Sequence, residues 1–92
     1  GYDYATMTMP ESAAEQAENC FATIDGVMRE AGFAMSDIVR VQYTVTDRHH
    51  VEEIVPVLGA NLGEIRPAAT MVIAGLISPE RKVEIEVTAF RG

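Results

Sequence analysis

Glu84 and Glu86 stand two residues apart in the run VEIEVTAF, close to the end of a 92-residue chain. On an extended strand that spacing puts both carboxylates on one face, about 7 Å apart. A carboxylate held in a cleft acts as a general base, drawing a proton from water and setting the oxygen against an electrophilic carbon. A solvated strand face is the plainer reading of the same pattern. Other chemistry-bearing residues are sparse. His49 and His50 are adjacent, and neighbours on a helix do not face each other, so their spacing favours a surface or helix-start role over chelation. Cys20 is the single cysteine. It has no ligand-type residue at metal spacing and reads as a small buried apolar group. The five methionines are scattered over different elements, and there is neither a Gly-rich phosphate loop nor a nucleophile elbow. The residues imply no metal and no cofactor.

Composition narrows the classes. The formal net charge is −7, which repels phosphate backbones and argues against nucleic acid as a partner. One cysteine permits no intrachain disulfide and fits a reducing compartment. No apolar run approaches the ~20 residues of a membrane span, and no signal-peptide pattern is present, so the expectation is a cytoplasmic protein without a membrane partner. The whole length, 1–92, fits one domain. So short a chain buries roughly 60–65% of its unfolded surface, which favours association with other copies.

Five elements would have to position the carboxylates. Pro10 suits the first position of a helix, and Ser12 with Glu15 offers an alternative start as a capping box. Ala17, Phe21, Ile24, Met28 and Ala31 then recur at helical steps, and Gly32 is a left-handed stop on which Phe33 can fold back toward Met28. Ser36-Asp37 turns the chain into a strand over 38–46, with Val39, Val41, Tyr43 and Val45 on its dry face and Arg40, Gln42 and Thr44 on the wetter one. Asp47 ends that strand and can cap the next helix. Val51, Ile54, Val55, Leu58 and Leu62 space as this second helix, kinked or restarted by Pro56 and stopped by Gly63. The run 70–76 reads as a short, well-covered strand. The run 83–90 alternates strictly, and Pro79 lies in the connection between them, which suggests an antiparallel hairpin. The order is helix, strand, helix, strand, strand. The first two strands should be parallel, both helices should share one sheet face, and the opposite face should be polar. Arg40 could pair with Glu84 or Glu86 across that face. Tyr2, Tyr4 and Phe90 would pack in the core or at an edge.

The segment Pro67-Ala68-Ala69-Thr70, followed at fixed spacing by Val83-Glu84-Ile85-Glu86, resembles the C-terminal signature of the RidA family, also called YjgF or reactive-intermediate deaminase. The run AGFAMSDIVRVQYTVTD supports the resemblance. It implies an α+β fold of the YjgF-like (chorismate-mutase-like) kind, both helices on one face of a mixed sheet, in a chain N-terminally short of the family's first strands. It further implies a homotrimer, with a small-molecule ligand in clefts between subunits. The activity implied is hydrolytic deamination of imines or enamines, Glu84 activating the water. Arg66, Ala69 and Thr70 are the positions implied to line the substrate site. Ala69 departs from the pattern, because the family carries there an arginine that clamps the substrate carboxylate. Losing two charge-assisted hydrogen bonds removes roughly 3–6 kcal/mol of binding, a factor of about 10² to 10⁴. Small 2-imino acids should therefore bind poorly. A non-catalytic metabolite-binding or protein-binding relative is the alternative. An endoribonuclease role, ascribed to some relatives, fits poorly with the charge.

Overall fold

The computed structural model describes residues 12–76 and 80–91. Its element order is α1 (Ala13–Glu30), a 3-10 turn (Met35–Asp37), β1 (Ile38–Val45), α2 (His50–Leu62), β2 (Ala68–Ile73) and β3 (Val83–Ala89). This is an α+β fold with two helices and a three-stranded mixed sheet.

Ser12 is the N-cap of α1, and its side chain accepts a hydrogen bond from the Glu15 backbone N–H at 3.2 Å. The capping alternative is thus the realised start; Pro10 lies outside the described residues. At the other end Gly32 takes φ 84, with Phe33 N–H donating to Met28 O at 2.8 Å and Gly32 N–H to Arg29 O at 3.1 Å. Those two bonds define a Schellman stop, which needs a left-handed residue at this position. The apolar stripe of α1 buries Ala13, Ala17, Phe21 and Met28. Ile24 is half-buried, while Ala31 falls outside the contact.

Strand order is β2-β1-β3, with β1 parallel to β2 and antiparallel to β3. The crossover through α2 makes the first two strands parallel, as the element order requires. The last two strands do not form the expected hairpin, because β1 lies between them. Sequence adjacency suggested the pairing, but the central strand took both ladders. Nor is β2 well covered. Every one of its residues is exposed, since the helices pack over β1 and β3 and leave that edge bare.

The alternation on β1 slips once. Ile38 pairs with Ala89 but Arg40 with Thr88, so Val39 is an extra residue at a bulge. Ile38 turns inward at 3% exposure and Val39 outward at 48%, the reverse of the simple period-2 reading for Val39. Beyond the bulge Val41, Tyr43 and Val45 are buried as expected, against Val83 and Ile85 of β3. Burial pushes the Tyr43 phenol above its ordinary pKa. Helix α2 contributes Ile54, Val57 and Leu62 to the same core; Val55 is exposed and Val57 takes its place. Pro56 lies within α2 on its exposed side, and the helix runs through it. The carbonyl it leaves without its helical donor is that of Glu52, an exposed residue.

Gln16 ties the far ends together. It is fully buried, donates to Glu80 O at 2.9 Å and accepts from Lys82 N–H at 2.7 Å. The sequence offers no hint of this, because the partners are more than sixty residues away. Gln16→Ala should lower stability by about 1–3 kcal/mol by orphaning both backbone groups, measured by urea unfolding. Gly32→Ala should cost about 1–2 kcal/mol through the left-handed backbone alone, since open space surrounds its Cα.

Candidate functional site

Beyond the bulge the two ladders set three polar-facing rows across the sheet. Ala68, Arg40 and Thr88 form one; Thr70, Gln42 and Glu86 the next; Val72, Thr44 and Glu84 the third. Glu84 and Glu86 share this face, as their spacing predicts. Glu84 is half-buried and Glu86 exposed. Arg40 reaches Gln42 Oε1 at 3.5 Å, and no ion pair between Arg40 and either glutamate occurs among the described residues. Their partners across the ladder, Thr44 and Gln42, are neutral, which leaves both carboxylates without the expected cation. Phe90 projects at 69% exposure instead of packing, although its N–H bonds Asp37 O at 2.9 Å.

The residues expected to line a substrate cleft do not converge within one chain. Ala69 pairs with Val41 and therefore shares the helix-side parity, opposite to Glu84. Thr70 shares the polar face but sits one row from Glu84 and two strands away. Arg66 is exposed, in the turn before β2, with φ 52. Its N–H donates to Leu62 O at 3.1 Å, closing the end of α2. That turn lies at the sheet end where Arg40 pairs with Ala68, whereas Glu84 pairs with Thr44. Four residues of strand, about 13 Å, and two strand spacings, about 10 Å, separate them. An open cavity of about 430 Å³ lies elsewhere, between Glu18, Asp25 and Arg29 of α1 and Asn61 of α2, and includes none of these residues.

A second grouping, not anticipated from the sequence, forms at the start of α2. Asp47 accepts the His49 backbone N–H at 3.0 Å, and its Oδ1 lies 2.6 Å from His49 Nδ1. Asp47 thus ties down the turn but does not cap α2 as expected, since the N-cap is His49 and no side chain caps that helix. The rings of His49 and His50 are 4.1 Å apart and tilted by 52°, so this adjacent pair does face, contrary to the helical expectation. His50 is not a surface residue; it is buried in the same turn, with Glu53 one helical turn on. The i,i+3 spacing of His50 and Glu53 was the available signal.

The fold and the polar sheet face define a small α+β domain of the YjgF type. A family model described as endoribonuclease L-PSP matches residues 1–91. Among solved structures, RidA from the Antarctic bacterium Psychrobacter sp. PAMC 21119 is 31% identical with a TM-score of 0.90, covering 99% of this chain and 74% of its own. Rv2704 of Mycobacterium tuberculosis, described as a member of the YjgF/YER057c/UK114 family, is 32% identical with a TM-score of 0.86, covering 89% and 70%. NMB1025 of Neisseria meningitidis is 31% identical with a TM-score of 0.84, covering 90% and 71%. Among proteins of curated function, none matches. The chain belongs to the endoribonuclease L-PSP family, the YjgF/RidA family. Among the described residues no helix is long and apolar enough to cross a membrane.

Hydrogen bonds from His49, first from its backbone and then from its side chain, hold the Asp47 carboxyl below its ordinary pKa of 3.8. A depressed folded value means that Asp47 stabilises the fold fully above the unfolded pKa, and that this contribution is lost as pH falls through the folded value. The stability difference between wild type and Asp47→Asn should be constant at neutral pH and shrink below about pH 4, followed by urea unfolding across pH.

Proposed function

We propose that this chain is a RidA-like hydrolase of the imine and enamine deaminase type, with its ligand cleft formed between copies of the chain and Glu84 as the water activator. The observation that carries this reading is the position of Glu84: half-buried on a polar sheet face, with no cation paired to it among the described residues. Arg66, Ala69 and Thr70 of the same chain lie too far across the sheet to complete a site with it, so the partner positions come from a second subunit. The bare β2 edge, with Met71, Val72 and Ile73 exposed, is consistent with that assembly, and a homotrimer is the arrangement proposed.

In this mechanism the Glu84 carboxylate takes a proton from water while the water oxygen bonds to the imine carbon. The C=N electron pair passes to nitrogen, which takes that proton back from Glu84 to give a carbinolamine. The hydroxyl proton then moves to nitrogen by way of the same carboxylate as the C–N bond breaks and the C–O bond becomes a carbonyl, so that a carbonyl compound and ammonia leave. Ala69 offers no charge for a substrate carboxylate, so neutral imines are the preferred class. The ribonuclease activity in the name of the family model fits less well, since a net charge of −7 opposes a phosphate backbone.

Ala69 also favours a second reading, a non-catalytic relative that binds a metabolite or a protein in the same cleft. Ammonia release from neutral and carboxylate-bearing imines separates the two. The enzyme reading expects release from neutral imines, a loss of about 10²-fold or more in Glu84→Ala, and a shift of preference toward 2-imino acids in Ala69→Arg. Absence of release from every imine in both wild type and Ala69→Arg supports the binder. Sedimentation at micromolar concentration should give three chains per particle; a folded monomer would remove the cleft from both readings.

A further inference from the structure

We infer that the turn entering α2 is a binding site for a divalent transition cation of the zinc type, held by His49, His50 and Glu53. One ligand atom from each lies within 4.8 Å of the others. Two imidazoles and one carboxylate suit zinc, cobalt and nickel better than the hard cations, which take all-oxygen shells.

His50 supplies the observation that points to a ligand. Its side chain is only 8% exposed, and its Nδ1 is buried with no hydrogen-bond partner among the described residues. The nearest carboxylate oxygen, Glu53 Oε1, is 3.6 Å away, too far for a hydrogen bond and close enough for both atoms to bind one ion. An orphaned buried nitrogen is unfavourable in an unliganded fold, and a cation between it and Glu53 would satisfy it.

The surroundings fit. Asp47 already holds the His49 ring through Nδ1, the arrangement in which a carboxylate fixes an imidazole for metal binding. Donors bound at about 2.1 Å stand about 3.4 Å apart in a tetrahedron, so the group must close by on the order of 1 Å. Glu53 is exposed and its flexible side chain can supply that movement, while Asp47 holds the His49 ring in place. The positive end of α2 opposes a cation, but Asp47, Glu52 and Glu53 concentrate negative charge there. Three protein donors leave a position for water, and the bound ion would clamp the β1–α2 connection.

The test is calorimetric titration of Zn²⁺ into the full chain without a polyhistidine tag, with Co²⁺ absorption as a second probe. One ion per chain is expected. Affinity should fall at least tenfold in Glu53→Gln, an exposed and near-isosteric change that leaves the fold intact, and further in His50→Ala with unchanged circular dichroism. Absence of Zn²⁺ binding by the wild type, or equal binding by Glu53→Gln, overturns the proposal. Imine hydrolysis is not the readout, so the result stands apart from the role of Glu84.

Discussion

Two hydrogen-bonded ladders on one strand place everything else in this molecule. β1 carries β2 on one edge and β3 on the other, and its helix-facing residues Val41, Tyr43 and Val45 anchor the core. Each fully buried aliphatic side chain of this size contributes about 1.5–3 kcal/mol relative to exposure. Because both ladders share one strand, the alternation of β1 sets which face the paired residues of β2 and β3 present. Within the described β1–β3 ladder, the bulge at Val39 is where the register is reset.

The helices close over only part of the sheet. Residues of α1 and α2 meet β1 and β3 in one cluster, and Gln16 locks α1 to the entry of β3 through two hydrogen bonds. The opposite edge, β2, is the least covered part of the described sheet, with every one of its residues exposed. A strand left so bare is a surface for association. The same asymmetry explains why a site built from both β2 and Glu84 cannot close inside one chain: the central strand keeps them apart.

Chemistry-bearing side chains thereby fall in two separate regions. The sheet face carries Glu84 beyond reach of Arg66, and the turn at α2 gathers His49, His50 and Glu53 around the Asp47 hook. They differ in origin. The first is set by strand alternation, and the second by a local turn whose hydrogen bonds rotate an imidazole against its neighbour.

Much of this was legible without coordinates. Alternation in Val83–Ala89 put Glu84 and Glu86 on one face, because side chains on a strand have period two. Gly32 followed by Phe33 announced the end of α1, because only a residue tolerant of positive φ makes that stop. The Pro-Ala-x-Thr and Val-Glu-Ile-Glu segments announced the family. What sequence could not decide was which strand would hold the centre. The two C-terminal strands are neighbours along the chain, yet β1 took both pairings. Period alone did not show that Val39 would be squeezed out at a bulge, nor that His50 would be buried beside Glu53. Local residue types fix local conformation through backbone sterics and hydrogen-bonding capacity. Partner choice between elements depends on which apolar faces can be covered together, and that competition is resolved only in three dimensions.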